Sequence, residues 1–274
     1  MATGFRADLA RRVATSVVAV PLLLIVVFLG HPLACVALVG AMVLAGLYEF
    51  FALLQARGIA PMRTVGVLLT GAIFAEVALP DVWRPGMWAA TPLVLLAAAV
   101  FRGGEPAERV TSASGTLLGA TYLGALGGSL AGLRMLHPLG QGSGRLFLLL
   151  AIVMLSDVFA YFVGHVVGGR RLAPRISPGK SVGGAVGGLV GGVAGAALVR
   201  SIGLIPLSAA EVVGLGLSVA AIGMLGDLAE SLLKRWAGVK DSGRLFPGHG
   251  GALDRLDSLL FGAPVLYYYF SYVR

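Results

Sequence analysis

Nine ionisable side chains crowd residues 231–257 of this 274-residue chain: Lys234, Arg235, Lys240, Asp241, Arg244, His249, Asp254, Arg255 and Asp257. Long apolar stretches flank them. Charge is costly in such a setting, and cations interspersed with carboxylates point to phosphate chemistry. Just upstream, Asp227, Glu230 and Lys234 are spaced three and four apart, which places them on one face of a helix. Asp227 lies a turn deeper and needs a cation or a polar cavity, whereas Glu230 and Lys234 also fit an ordinary ion pair at a solvated helix end. Asp254 and Asp257 are again three apart and follow His249-Gly250-Gly251, whose flexible backbone can approach a ligand closely. Asp227 and Asp254, from two helices, would make a hard oxygen site suited to Mg2+ and completed by substrate phosphates. Asp257, Glu230 and Asp157 are further candidate ligands. The other reading of Asp254 and Asp257 is an intramembrane ion pair with a nearby arginine.

A second group lies at 156–188. Asp157 falls inside an apolar run and requires a partner. The connection after it carries Arg170, Arg171, Arg175 and Lys180 with Ser177 and Ser181, enough cations and hydroxyls to embrace a polyphosphate. Gly179-Lys180-Ser181 is not a P-loop: Pro174 stands where the first glycine should be, and apolar spans replace the strand and helix. His249, between glycines, reads as a phosphate-contacting group more readily than as an acid–base; His31, His137 and His165 are unclustered. Glu49, near the end of a span, reads as a helix-end or lipid-facing group whose partner the sequence does not reveal. Tyr267-Tyr268-Tyr269-Phe270 reads as an interfacial aromatic belt.

The elements that must position these residues are membrane helices. The chain is 57% hydrophobic and 12% charged, with mean hydropathy +0.90. Soluble domains carry about 25% charged residues, so this composition excludes an ordinary soluble fold. About nine apolar stretches are predicted, near 13–30, 33–54, 64–80, 86–101, 112–135, 146–168, 182–200, 209–233 and 250–271. They form an all-α polytopic membrane protein of one domain over 1–274, with N-terminal spans in 1–145 and the candidate site in 146–274. The glycine run at 183–192 is read as tight helix packing in a bilayer. A single cysteine, Cys35, precludes an intramolecular disulfide.

The net charge of +8 is explained by topology and by anionic ligands or lipids rather than by nucleic acid. Fifteen Lys and Arg side chains fall in the N-terminal tail and alternate connections, including the two most basic ones, against five on the other side. This predicts a cytoplasmic N-terminus and a site on the cytoplasmic face of the cell membrane.

The stretch Ser231-x2-Lys234-Arg235-x4-Lys240-Asp241-x-Gly243-x2-Phe246-Pro247-Gly248-His249-Gly250-Gly251-x2-Asp254-Arg255-x-Asp257 closely resembles the signature of phosphatidate cytidylyltransferases. Gly226-Asp227-x2-Glu230-Ser231 extends the likeness. Asp157-x2-Ala160-Tyr161-x2-Gly164 and Ile176-Ser177-Pro178 are similar too. The resemblance implies a multispan enzyme joining CTP to phosphatidic acid, giving CDP-diacylglycerol and pyrophosphate. It implies Mg2+ on Asp227 and Asp254, with K+ as a second cation. Lys234 and Arg255 would join these aspartates in catalysis. Ser177, Lys180, Ser181, Arg235, Lys240, Asp241, Arg244, His249, Gly250 and Gly251 would bind substrate. Expected partners are CTP, phosphatidic acid and membrane lipids; homo-oligomerisation, as a homodimer, is left open.

Three positions depart from the family pattern. Its usual Ser-Pro-Lys-Lys-Thr-x-Glu-Gly reads Ser177-Pro178-Gly179-Lys180-Ser181-Val182-Gly183-Gly184, and an arginine expected after Gly164 is His165. These departures leave open a weakly active or inactive paralogue that binds lipid or CTP. A membrane transporter for an anionic solute is the alternative from another class, since intramembrane aspartates, glycine-broken helices and basic loops would also suit it.

Overall fold

The structure, a computed structural model, describes residues 21–22, 24–80, 82, 86–245 and 250–274. Half of the expected span at 13–30 lies outside these residues, as do Arg6, Arg11, Arg12, Arg84 and His249. Eight longer helices follow: α1 Pro32–Gln55, α2 Arg63–Ala78, α3 Met87–Val100, α4 Pro106–Met135, α5 Gly142–Val166, α6 Val182–Ser201, α7 Ala209–Ala237 and α8 Leu253–Tyr272. Each coincides with one expected stretch. Five segments are long and apolar enough to cross a membrane: α1, α4, α5 with its preceding turn, α6 and α7. At 16 and 14 residues, α2 and α3 would reach only about 24 and 21 Å, short of a hydrocarbon core of roughly 30 Å. The chain is an all-α membrane protein; of the nine expected spans, five among the described residues meet the length and apolarity needed to cross a membrane. Large apolar side chains such as Leu93, Phe162 and Val166 remain exposed, as lipid-facing surfaces require.

The core is built where α1, α4, α5, α7 and α8 meet, around Leu47, Phe50, Leu123, Leu149, Ile152, Val219 and Leu260. A smaller cluster with Leu69, Ile73 and Leu95 joins α2 and α3 to α4. The glycines of α6 let it lie tightly between α5 and α7. A Cβ at Gly195 would sit 2.6 Å from the Ala151 carbonyl oxygen, and one at Gly192 2.6 Å from that of Gly216. Such a sequence is a poor helix in water, but close backbone approach is what holds helices together in lipid.

The connection between α5 and α6 is not plain loop. It forms an antiparallel hairpin, β1 Arg171–Ala173 with β2 Ser177–Ser181, pairing Arg171 with Ser181 and Ala173 with Ser177. Pro174, which has no N–H to donate, falls in the turn. Ser181 ends the hairpin and starts α6, its hydroxyl accepting from the Gly184 N–H at 3.1 Å. α7 starts with a capping box, Ser208 with Glu211, and stops at Gly238 in the left-handed conformation, φ 78°.

Candidate active site

At the C-terminal end of α7 the spacing of three and four does put Asp227, Glu230 and Lys234 on one side. The Glu230–Lys234 pair is not a solvated one. Lys234 Nζ lies 3.0 Å from Glu230 Oε2 and 2.5 Å from Asp254 Oδ1, with side-chain exposures of 13%, 1% and 8%. One ammonium thus serves two buried carboxylates from two helices. Glu230 Oε1 is buried and has no hydrogen-bond partner among the described residues. Burying such groups is tolerated only when charges are paired and remaining lone pairs are met, and Asp254 and Asp257 both lie close enough to Glu230 to interact with it.

Asp227 meets a different cation. Its Oδ2 forms an ion pair with Lys180 Nζ, which reaches over from β2, and Ser231 Oγ lies 3.4 Å from its Oδ1. Both partners of this pair are about a quarter to a third exposed. Arg235 holds the same hairpin, its Nε donating to the Ile176 carbonyl at 3.4 Å while Nη1 donates to that of Val239 at 3.2 Å. The hairpin therefore rests on the very helix that carries the aspartate.

Asp254 opens α8. Besides Lys234, it accepts on Oδ2 from Ser242 N (3.0 Å), Ser242 Oγ (2.9 Å) and Gly251 N (2.8 Å). Gly250, at φ +82°, passes so close that a Cβ there would lie 2.6 Å from Asp254 Oδ2. Only glycine accommodates both that conformation and that approach. Asp257 lies one turn on, where α7 and α8 nearly touch: a Cβ at Gly226 would sit 2.5 Å from the Asp257 carbonyl oxygen. Its carboxylate is within electrostatic reach of Asp227 and Lys234. Asp157, on α5, feels Asp257, Asp227, Lys180 and Arg255, and lines a narrow crevice with Ser156, Gly223 and Ser258.

The remaining predicted residues divide. Arg255, Lys240, Asp241 and Arg244 are exposed around this end, and Ser177 is half-buried on β2. Ser181 is buried, with its hydroxyl engaged as the cap of α6, and Gly251 is buried with its N–H on Asp254. His249 lies outside the described residues. Of the departures, Gly179 is surrounded by open space, whereas a Cβ at Gly183 would sit 2.9 Å from the Gly168 carbonyl oxygen; His165 stacks on Tyr161 at 5.7 Å.

One residue of the site escaped the sequence reading. Glu49 is neither a lipid-facing group nor a free helix end. Its Oε1 accepts from Ala252 N and its Oε2 from Leu253 N and Ser242 Oγ, all at 2.9 Å. The first N–H groups of α8 are unsatisfied within the helix and carry its positive dipole end, so a carboxylate is the fitting partner. Residues 1–145 therefore contribute to a site expected wholly within 146–274. A lone carboxylate in the apolar stretch 33–54 was the signal; its partner was hidden by a separation of 204 positions.

Six carboxylates thus gather at this end: Glu49, Asp157, Asp227, Glu230, Asp254 and Asp257. Lys180, Lys234 and Arg255 face them. Every candidate donor is a hard oxygen. That donor set fits a divalent cation such as Mg2+. No cluster of three or more such ligands exists among the described residues, so an ion here would hold one or two carboxylates and need other ligands to complete its shell.

An all-α bundle with membrane-length apolar helices and a cluster of carboxylates and lysines at one helix end defines the class: a polytopic membrane protein with a polar, charged site. The particular family follows from comparison: the model of the cytidylyltransferase family matches residues 10–273, and the chain belongs to that family. A phosphatidate cytidylyltransferase of Synechocystis sp. is 32% identical over 289 aligned positions, covering 94% of this chain and 95% of the relative. One from Brucella abortus is 39% identical over 149 residues, 54% of each chain, and one from Bacillus subtilis 36% over 123 residues, 45% of this chain and 46% of the relative. The match thus spans about half the length of the Brucella relative.

Proposed function

We propose that this protein is a phosphatidate cytidylyltransferase, joining CTP to phosphatidic acid and releasing pyrophosphate. The observation that carries this reading is the convergence of Lys180 from the hairpin and Lys234 from α7 on the carboxylates of α7 and α8, whose residues 226–257 match the family signature. A phosphate oxygen of the lipid attacks the α-phosphorus of CTP, and the bond to the β-phosphate breaks so that pyrophosphate leaves. The lipid phosphomonoester is already anionic at neutral pH, so no strong base is needed.

Asp227 and Asp254 would hold Mg2+, with Asp257 and Glu230 beside them and K+ as a second cation. Bound there, the metal would supply charge neutralisation and orientation of the phosphates. Lys180 holds Asp227 in the resting site and is long enough to turn to a triphosphate without losing the hairpin, which Arg235 also retains. Lys234 keeps Asp254 and Glu230 together. The exposed Lys240, Arg244 and Arg255 attract anionic substrate to this end. The distribution of Lys and Arg argues for a cytoplasmic face of the cell membrane, where CTP is available.

The test is formation of CDP-lipid and pyrophosphate by detergent-solubilised protein given CTP and phosphatidic acid, with and without Mg2+. Turnover without sealed vesicles is expected, and only with the metal. Absence of CDP-lipid under these conditions, with solute movement across sealed vesicles instead, would replace the enzyme with a transporter.

A further inference from the structure

We infer that Glu49 is a positioning residue of the site: from α1 it sets the N-terminus of α8, and through Ser242 it sets Asp254. The inference rests on the proposed reaction. Both carboxylate oxygens are used, on backbone N–H groups of Ala252 and Leu253 that immediately precede Asp254. Ser242 Oγ stands 2.9 Å from Glu49 Oε2 and 2.9 Å from Asp254 Oδ2. A hydroxyl has one proton and can donate to only one of them at a time. The two carboxylates therefore compete for it, and the charge on Glu49 bears directly on how Asp254 is held.

A second, independent observation is the space left for Glu49. A Cβ on either Gly243 or Gly251 would collide with its carboxylate. Gly243 and Gly251, on the two described sides of the connection from α7 to α8, thus both close on this one side chain. A carboxylate that merely capped a helix would need neither the shared hydroxyl nor this approach from both sides.

The test compares purified full-length wild type with Glu49→Gln, Glu49→Ala and Ser242→Ala, following pyrophosphate release against CTP, phosphatidic acid and Mg2+ concentration. Glu49→Ala should lower kcat by about 10-fold or more, the loss typical of an outer-shell partner. KM for both substrates should hold within about threefold while the Mg2+ concentration for half-maximal rate rises. Glu49→Gln keeps the shape and one acceptor oxygen and should restore part of kcat. Ser242→Ala should reproduce the shift in Mg2+ response, and the double variant with Glu49→Gln should lose less than the product of the single losses. Where Glu49→Ala does not fold, Glu49→Gln and Ser242→Ala decide. Wild-type kcat and Mg2+ response in Glu49→Gln, or losses that follow only the folded fraction, overturn the inference and leave the reaction standing. A wild type without turnover overturns the reaction and the role built on it.

Discussion

The two ends of α7 handle charge in opposite ways. At the Ser208 end, Glu211 is fully occupied: it accepts from Ser208 N at 2.6 Å and Tyr269 Oη at 2.7 Å, and pairs with Arg274 at 2.9 Å. Nearby Arg145, 3% exposed, donates to the Leu136 carbonyl at 2.6 Å and that of His137 at 3.1 Å, under the ring of Phe270. Charges here are tied mostly to backbone and to one another within α7, α8 and the C-terminus, although Arg145 Nε is buried without a hydrogen-bond partner among the described residues. At the Lys234 end the ties run between side chains of separate elements: Lys180 of β2 holds Asp227, and Lys234 holds Glu230 and Asp254. The first end fastens helices. The second is where the candidate site residues meet.

The strongest way to break this comparison is to remove the candidate metal ligands. Asp227→Asn and Asp254→Asn should each cut turnover by more than the roughly 10–100-fold typical of an outer-shell partner, with the protein still inserted and folded. Near-wild-type turnover in either, measured as pyrophosphate release with Mg2+ controlled, would sink the ligand assignment for that residue.

Next comes Lys234→Met, which leaves Glu230 and Asp254 facing one another without their shared ammonium. Breaking a buried pair on one side costs about 3–5 kcal/mol, so thermal unfolding should move well down as activity is lost. Lys180→Ala acts on a pair that is partly exposed. It should cost at most about 1 kcal/mol in stability, while KM for CTP rises several-fold if Lys180 turns to the triphosphate. An unchanged KM would make Lys180 a hairpin fastener only.

The smallest expected effect on catalysis is at the Ser208 end. Glu211→Ala removes the capping box along with the Tyr269 and Arg274 contacts and should destabilise by about 1–2 kcal/mol. Activity per folded molecule should stay at the wild-type level; a fall in kcat there would show that the two ends are coupled.

Much of the fold is legible in the sequence because uninterrupted apolar runs are long and their ends are sharp. The stretches expected at 182–200 and 209–233 are observed as Val182–Ser201 and Ala209–Ala237. The stretch at 112–135 starts six positions earlier, at Pro106, because hydropathy registers residence in lipid while a helix also runs through polar turns; Glu108 and Arg109 belong to α4 but not to an apolar run. The hairpin is invisible to periodicity, its strands being three and five residues long. In the site, spacing alone places Asp227, Glu230 and Lys234 together. It cannot say that Lys180 takes Asp227 while Lys234 takes Asp254, since partner choice depends on where the hairpin and α8 approach. Glu49 is the extreme case: a lone carboxylate in an apolar run marks it, but nothing local points to its partners.

That last contact has a consequence for biosynthesis. Glu49 leaves the ribosome some 204 positions ahead of Leu253, the backbone group it binds. At bacterial and eukaryotic elongation rates of about 5–20 residues per second, it waits roughly 10–40 s for its partners. Through that interval the backbone N–H groups that Glu49 binds in the finished structure do not yet exist. The fastening of α1 to the N-terminus of α8 is therefore among the last contacts the chain can make.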